Sequence, residues 1–166
     1  LNIVKNIVGV YRTPLLEVAS KCVLTNTTQV SAYRGAGRPE GNYFMERLID
    51  KAASETGIDR LELRRRNQIA PQQIPFAAAS GMNYDSGDFP SLFAEALKAA
   101  DIGGFDARKR DSQARGKLRG LGIGSFLEVT APPGKEMGGI RFEANGDVTI
   151  LTGTLDYGQG HWSAFA

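Results

Sequence analysis

A glycine-rich loop that leads into a helix is the first stretch of this sequence that could do chemistry. Residues 32–45 read Ala-Tyr-Arg-Gly-Ala-Gly-Arg-Pro-Glu-Gly-Asn-Tyr-Phe-Met. Three glycines permit backbone angles and close approaches that a Cβ would forbid: Gly35, Gly37 and Gly41. Pro39 and Glu40 are residue types favoured in a first helical turn. Because a helix N-terminus presents free N–H groups, this stretch predicts either an anion-binding site or a simple turn.

A second glycine turn lies near the other end of the sequence, at Gly153-Thr-Leu-Asp-Tyr-Gly-Gln-Gly-His161. It follows two alternating segments, 140–143 and 148–152, that flank an Asn145-Gly146 pair. Asn-Gly supplies positive φ at low cost and predicts a β-hairpin. The second glycine turn is therefore predicted to follow the last strand of that hairpin directly.

Familiar catalytic and metal-binding motifs have little support. The loop at 35–41 is one residue off the dinucleotide-binding spacing, the glycines at 120–124 also miss it, and neither has a βαβ context. Ser125 lies in no Gly-x-Ser-x-Gly motif, and a triad built on the only histidine, His161, has no sequence support. One histidine and one cysteine cannot supply an ordinary structural zinc site, so no metal ligand is predicted in this chain.

The elements that must position these loops change type along the chain. Val, Ile and Thr predict extended segments before Tyr33. Apolar residues three and four apart, with capping residues, predict helices at about 41–55, 59–67 and from 88 onward. Residues 69–87 are predicted as a loop docked by Ile74, Phe76 and Met82, residues 106–115 as a solvated helix or a linker, and 121–129 as a buried strand. Helices first and strands later indicate an α+β fold, with helices packed against a mainly antiparallel sheet.

Burial can also be predicted from these patterns. The helix at 41–55 should bury one broad apolar face, formed by Tyr43, Phe44, Met45, Leu48, Ile49, Ala52 and Ala53. The next helix should carry its arginines on an outer, solvated face: Arg60, Arg64, Arg65 and Arg66. Cys22 is expected to be a small buried side chain rather than a reactive thiol.

Composition excludes several classes of protein. The chain has 166 residues and is 42% hydrophobic. Its formal charge of +2 does not by itself indicate a nucleic-acid or membrane partner. A single cysteine excludes a disulfide framework and is compatible with a cytoplasmic location. The sequence begins at Leu1 without a signal peptide and closes without a helix cap, from which we expect an internal fragment of a longer protein.

Taken together and in this order, the two glycine loops resemble the molybdenum-binding large subunit of the xanthine dehydrogenase, aldehyde oxidase and carbon monoxide dehydrogenase family. Two sequence segments carry this resemblance: Ala-Tyr-Arg-Gly-Ala-Gly-Arg-Pro-Glu at 32–40 and Gly-Thr-Leu-Asp-Tyr-Gly-Gln-Gly-His at 153–161. The segment Gly-Met-Asn-Tyr-Asp-Ser-Gly-Asp-Phe at 81–89 and the Asn-Gly hairpin are similar as well. The resemblance therefore runs through the whole chain.

This resemblance implies a molybdenum hydroxylase, in which a molybdopterin dinucleotide holds the metal and oxygen from water is added to an aldehyde or heterocycle-type substrate. Four residues would lie near the molybdenum and its small-molecule substrate: Tyr33, Arg34, Gly35 and Ala36. Arg34 would then hold an anionic or carbonyl oxygen. Backbone N–H groups and the Gln159 amide would contact the cofactor in the second turn, at Gly158, Gln159 and Gly160.

Departures from the family pattern narrow the implied chemistry. Gly35 stands where members with a copper ligand have cysteine, and Ala36 stands where xanthine-type members have a stacking phenylalanine. The Gly-Ala-Gly version is most similar to the bacterial aldehyde oxidase-like branch. The catalytic glutamate of the family lies outside these residues, so no catalytic residue is expected in this chain, and the chain alone is expected to be inactive and without bound cofactor.

The resemblance also implies partners, namely the remainder of the large subunit and subunits or domains that carry iron–sulfur clusters and FAD. A division into residues 1–115 and 116–166 is predicted from the change from helical to strand patterns. Other interpretations stay open. The chain could be a non-enzymatic binding or assembly module, Arg34 could only brace its loop, the glycines at 158–160 could only end a strand, and the arginine clusters could contact nucleic acid.

Overall fold

The structure, a computed structural model, describes residues 2–29, 34–129 and 135–165. The helices are α1 (Asn2–Asn6), α2 (Arg38–Thr56), α3 (Arg60–Asn67), α4 (Phe89–Ala99), α5 (Phe105–Ala114) and α6 (His161–Ala164). The strands are β1 (Phe76–Ala77), β2 (Asn83–Tyr84), β3 (Gly138–Phe142) and β4 (Val148–Thr152). Short 3₁₀ turns occupy Pro71–Gln73 and Ile102–Gly104. The chain forms two compact units, Leu1–Glu128 and Val129–Ala166.

The core of the first unit forms where the segment after α1 meets the proline-containing loop. Val8 and Ile69 are fully buried there, and Ala78 and Tyr84 are buried beside them. β1 and β2 pair antiparallel within that loop, with Phe76 opposite Tyr84. The predicted docking residues of the loop pack on this core, as confirmed for Ile74, Phe76 and Met82.

Local capping signals define the helices of the first unit. Asp59 accepts N–H groups of α3, Asp88 accepts the N–H of Ser91 in α4, and Gly57 ends α2 with a left-handed conformation. Polar side chains at helix N-termini satisfy N–H groups that lack intrahelical partners. The predicted starts of α3 and α4 are confirmed, and the polar segment after α4 is the helix α5.

The prediction of extended structure at the start of the chain is wrong for residues 2–6, which form α1. The cause is a non-local contact with the start of α2. A Cβ on Gly41 would lie 2.8 Å from the carbonyl oxygen of Ile3, and a Cβ on Gly37 would lie 2.9 Å from the Ile3 side chain. Two glycines at the start of α2 thus leave space for α1, a short helix that the local sequence of residues 2–6 does not predict.

The predicted buried strand at 121–129 is also wrong. Residues 121–129 have no assigned strand and alternate between half-buried and exposed positions. The segment is held by side chains instead. Asn42 donates to the Leu127 carbonyl oxygen at 3.0 Å and accepts the Leu127 N–H at 3.1 Å, and Asn6 donates to the same carbonyl. Two buried asparagines therefore replace a neighbouring strand.

One burial prediction is right only in part, and one is wrong. On the predicted apolar face of α2, Ala53 is buried and Met45, Ile49 and Ala52 are half-buried, whereas Tyr43, Phe44 and Leu48 are 62%, 47% and 61% exposed. Cys22 is exposed, since residues 14–29 run over the surface without regular hydrogen bonding.

The second unit is built around the predicted hairpin. β3 and β4 pair antiparallel, with Ile140 opposite Ile150, and the turn between them contains Gly146 at φ +90°. α6 follows the second glycine turn. The α+β class is confirmed, although the strands within the described residues form two small antiparallel sheets rather than one. Across the described ranges, no helix has the length and apolar character needed to cross a bilayer.

Candidate functional site

The first glycine loop forms a tight turn immediately before α2. Gly35, Ala36 and Gly37 all have positive φ, at +96°, +45° and +97°. Arg34 and Ala36 are exposed, whereas Gly35 is half-buried. Tyr33, the remaining residue predicted in this group, lies outside the described residues. The turn therefore leaves Arg34 exposed shortly before the start of a 19-residue helix.

The start of α2 has no side-chain cap. Gly37 is its N-cap and makes no side-chain hydrogen bond to the first turn, and Pro39 occupies one of the first two helical positions. Arg38 forms an ion pair with Glu128, with 3.1 Å between Nε and Oε1. A Cβ on Gly35 would lie 2.6 Å from the ring of Pro39. The loop geometry thus requires glycine at 35, and the ion pair fixes the helix start to the segment that ends at Glu128.

A polar stripe runs along α2 behind the loop, at every fourth residue: Arg38, Asn42, Glu46 and Asp50. Residues spaced by four lie on one face of a helix. Arg38 contacts Glu128, and Asn42 binds the backbone of Leu127. A Cβ on Gly124 would lie 3.8 Å from the Glu46 carboxylate, so Glu46 borders the same segment. The stripe therefore aligns the segment before Glu128 with the helix that begins at the loop.

Arg64 closes the far end of this stripe, and its predicted position on an outer face is wrong. Its side chain is fully buried, donates from Nε to Glu46 Oε2 at 2.9 Å, and lies 3.0 Å from Asp50 Oδ1. Tyr11 donates to the other oxygen of Glu46. The guanidinium is buried because two carboxylates on α2 compensate its charge, which the sequence around Arg64 could not indicate.

Burial and charge set the titration of this cluster. Burial raises the pKa of Tyr11 above its ordinary value, and the hydrogen bond and negative charge of Glu46 raise that pKa further. Burial by itself lowers the pKa of Arg64, but the charge and hydrogen bond of Glu46 outweigh burial and leave that pKa raised. Tyr11 therefore stays neutral and Arg64 stays charged, so the cluster is a structural support rather than a source of protons.

The second glycine turn, in the other unit, is organised by one carboxylate. Asp156 Oδ1 accepts the N–H groups of Gly158 at 2.7 Å and Gln159 at 2.9 Å, and Oδ2 accepts the N–H of His161 at 3.1 Å. These backbone hydrogen bonds, that of Gly158 first, lower the pKa of Asp156. The carboxylate is therefore ionised and satisfies three N–H donors of the turn.

The side chain of Gln159 folds back on the same turn. Its Oε1 accepts the N–H of Tyr157, and its Nε2 donates to the Leu155 carbonyl oxygen at 3.3 Å. Gly160 has φ +77° and starts α6. The three predicted cofactor residues thus lie together in one turn. The turn borders an open groove of about 570 Å³, whose apolar part is formed by Ile150, Leu155, Trp162 and Phe165.

Asp156 is the residue of this turn that sequence reasoning missed. Its signal is the spacing Asp156-Tyr157-Gly158, because an aspartate commonly accepts the N–H two residues ahead of it. The α2 stripe is also visible in the sequence as a repeat of four, but polar residues at that spacing are equally typical of the solvated side of an amphipathic helix. Arg34 to Ala36 belong to the first unit and 158–160 to the second.

Comparison with protein families gives two matches along the chain. Residues 1–68 match one family described as a molybdopterin cofactor-binding domain, and residues 95–166 match a second family with the same description. The two matches cover most of the chain and contain both glycine loops.

Individual relatives agree with these matches. The chain is 34% identical over 92% of its length to a 6-hydroxypseudooxynicotine dehydrogenase complex subunit gamma and 28% identical over 95% to a nicotine 6-hydroxylase large subunit, both from Paenarthrobacter nicotinovorans. It covers 20% and 21% of those proteins. Quinoline 2-oxidoreductase from Pseudomonas putida 86 is a structural match with a TM-score of 0.78 and 32% identity, over 96% of this chain and 22% of that one. The chain thus spans about a fifth of each relative.

Proposed function

Because this chain belongs to the molybdopterin cofactor-binding domain family of molybdenum hydroxylases, we propose that its parent protein hydroxylates a small organic substrate with oxygen from water. The two domain matches in chain order carry this proposal. Both glycine loops fall inside the matched residues. The chain would supply parts of the cofactor and substrate surroundings, while the base and further cofactor contacts would come from the rest of the parent.

A heterocycle is the substrate class that we favour over an aldehyde. Two of the relatives are named for nicotine and quinoline, compounds that contain a pyridine-type ring. A carbon beside a ring nitrogen is electron-poor and accepts an oxygen nucleophile. Hydroxylation of such a carbon consumes water and releases two electrons and two protons. When bound, the molybdopterin centre would accept the two electrons.

The residues present fit an anionic pterin cofactor at the first loop. The start of α2 has no side-chain cap, and Arg34, which precedes it in the chain, is exposed. The Arg38 and Gly41 N–H groups are bonded to the Gly35 and Gly37 carbonyl oxygens, and Pro39 has no N–H. The exposed Arg34 guanidinium is therefore the donor that this loop offers to a phosphate or carbonyl oxygen. Arg34 would bind and orient such an oxygen, and we propose Tyr33, Gly35 and Ala36 as the other residues near the molybdenum and its substrate. At the second turn, the N–H of Gly160 and part of the Gln159 amide would contact the cofactor.

The surroundings of Gly35 also argue against copper chemistry in the parent. A cysteine at this position would place its Cβ within 2.7 Å of two ring atoms of Pro39. Contacts below 3 Å require a shift of the backbone or the ring. The loop geometry therefore supports a hydroxylase without a thiolate-bound copper. Ala36 offers no aromatic face for stacking a purine.

Electrons released in the reaction would leave through iron–sulfur and FAD-binding subunits or domains. Two relatives are themselves named as a complex subunit and a large subunit. We propose the same kind of assembly here, in the cytoplasm, with no nucleic-acid or membrane partner. The competing candidate is a binding or assembly module that keeps the fold without the chemistry.

The proposal can be tested on the full-length parent purified with its partner subunits. Molybdenum and pterin would be measured by elemental analysis and by fluorescence of the oxidised pterin. Turnover of quinoline and of an aromatic aldehyde would be compared in ¹⁸O-labelled water. We expect stoichiometric molybdenum, faster turnover of quinoline, and ¹⁸O in the product. Absence of molybdenum and of turnover would instead favour the assembly module.

The contribution of Arg34 can be tested in the same assembly with Arg34→Met. Loss of a charge-assisted hydrogen bond should lower kcat/KM roughly 10- to 100-fold. Arg110→Met is the matched control, since Arg110 is an exposed arginine on α5. Equal activity of both variants would mean that Arg34 only braces its loop.

A further inference from the structure

The second glycine turn depends on Asp156 for its conformation to an unusual extent. Three N–H groups, those of Gly158, Gln159 and His161, converge on its two carboxylate oxygens. Packing contributes little to this turn, because all residues of 155–160 are exposed and nothing lies within 4 Å of where a Cβ on Gly160 would be. Removal of this one acceptor would leave the turn without most of its internal hydrogen bonds.

Asp156 also determines which donors of the turn stay available. The N–H groups of Gly158 and Gln159 are committed to the carboxylate, and the Gln159 Oε1 is committed to Tyr157. Within the part of the chain that the structure describes, the N–H of Gly160 has no acceptor. One of the two protons on Gln159 Nε2 is also unused after the bond to Leu155. The Gly160 N–H and this Gln159 proton are therefore two donors that the hydrogen bonds of the turn leave available.

We propose that Asp156 is a positioning residue, which holds Gly158, Gln159 and Gly160 in one conformation, so that the Gly160 N–H and the remaining Gln159 amide proton are available to the molybdopterin cofactor. This inference rests on the proposed function. Asp156 does not itself contact the cofactor, because its carboxylate is already occupied by three N–H groups and would repel an anionic ligand. Its contribution is to fix two donors before binding, which reduces the conformational entropy lost when the cofactor binds.

The test compares cofactor loading with folding in the full-length assembled protein. Asp156→Asn keeps the shape of the side chain but replaces an acceptor oxygen with an N–H donor, so at least one of the three hydrogen bonds must be lost. We expect the molybdenum content per protein to fall about tenfold, as for other residues that orient ligands without touching the bound group. The melting temperature of the protein prepared without molybdenum should not change, since the turn is exposed. Asp156→Glu, which retains two acceptor oxygens, should restore part of the loading.

Amide hydrogen exchange supplies a readout that is independent of cofactor. Exchange at Gly158, Gln159 and His161 should accelerate in Asp156→Asn. Asp147→Asn is the control, because Asp147 is an exposed aspartate of the same unit whose carboxylate accepts the Asn145 side chain. It should leave both loading and exchange at the turn unchanged.

The outcomes separate this inference from the proposed function. Wild-type protein without molybdenum would contradict the proposed function. It would also contradict this inference, because no cofactor would then bind at the turn that Asp156 holds. Normal loading of Asp156→Asn in the presence of a loaded wild type would contradict the inference alone. A parallel fall in loading and melting temperature would show a general structural role and would also overturn it.

Discussion

The two glycine loops look alike in sequence but are held by different forces. At the first loop, the glycines are enclosed by neighbouring atoms, since a Cβ on Gly37 would strike Ile3 and one on Gly35 would strike Pro39. At the second, Gly160 is surrounded by open space, and the turn is shaped by hydrogen bonds to Asp156. The first loop is therefore specified by packing and the second by a single exposed anion.

A glycine-rich motif thus does not by itself indicate what makes a loop rigid. A packed loop loses its geometry when atoms are added to it, whereas a hydrogen-bonded loop loses its geometry when an acceptor is removed. Each loop should accordingly be sensitive to changes that the other tolerates.

The largest fall in the free energy of unfolding should follow the loss of Arg64, the buried cation behind the first loop. Arg64→Met would leave Glu46 and Asp50 without their compensating cation and should lower the free energy of unfolding by about 4 kcal/mol. Urea denaturation followed by far-UV circular dichroism would measure the change. Exchange of the amides at 158–161 should stay unchanged under native conditions, because that turn is held within its own unit by Asp156.

The control for this prediction is Arg65→Met, which removes a neighbouring arginine that is 53% exposed and paired with Glu62. Exposed ion pairs contribute roughly 0–1 kcal/mol. Equal destabilisation by the two variants would show that Arg64 is not a buried cation, and faster exchange at 158–161 would contradict the independence of the two loops.

The second prediction compares alanine at a packed glycine and at an open one. Gly37→Ala adds an atom 2.9 Å from Ile3 at φ +97°, so steric overlap and backbone strain should together cost about 3 kcal/mol. Gly160→Ala adds an atom into open space at φ +77° and should cost about 1 kcal/mol from backbone strain. Urea denaturation for Gly37 and amide exchange for Gly160 would provide the measurements. Similar costs would remove the distinction drawn between the two loops.

Sequence reasoning located both loops because their signals are local. Asp59, Asp88 and the Asn145-Gly146 turn act within a few residues, and the elements that they start or connect are present. The roles of Arg34 and of 158–160 depend on contacts with a ligand and remain predictions.

Non-local contacts explain what sequence reasoning could not provide. α1 forms because glycines about 35 residues away leave room for it, and Arg64 is buried because carboxylates on another helix neutralise it. The segment at 121–129 reads as a strand from its alternation, but asparagines on α1 and α2 take the place of a strand partner. None of these partners is marked in the local sequence.

A third prediction concerns alkaline conditions, to which the first unit should respond. Tyr84 is buried and donates to the Gly9 carbonyl oxygen at 2.8 Å, and burial raises its pKa to about 12. This pKa is above the value of about 10 that tyrosine has in unfolded chains. The contribution of the neutral Tyr84 hydroxyl to the free energy of unfolding is therefore complete below pH 10 and is lost between pH 10 and 12. We expect a loss of about 2 kcal/mol over that range, measured by urea denaturation at a series of pH values.

The control is Tyr84→Phe, which removes the titrating hydroxyl. Its unfolding free energy should be about 1 kcal/mol lower at neutral pH, because the Gly9 carbonyl loses its donor, and should fall less steeply above pH 10. Part of the alkaline loss should remain in this variant through Tyr11, whose pKa is also raised. A curve as steep as that of the wild type would exclude Tyr84 as its origin.

The smallest effect is expected at acid pH, where protonation of Asp156 should loosen the second loop. Hydrogen bonds from Gly158, and from His161 and Gln159, lower the pKa of Asp156, and the nearby His161 side chain acts in the same direction when it is charged. A lowered pKa means that the turn is fully held above about pH 4, where aspartate ionises in unfolded chains, and loosens as the pH falls through the lower folded value. Carboxyl carbon NMR of Asp156 should therefore titrate below an aspartate in an unstructured peptide, with amide exchange at 158, 159 and 161 accelerating over the same range. Asp156→Asn should make that exchange insensitive to pH once intrinsic rates are corrected. A midpoint at or above the peptide value would mean that the three N–H groups do not converge on the carboxylate, and the contrast with the packed loop at Gly37 would then have no electrostatic basis.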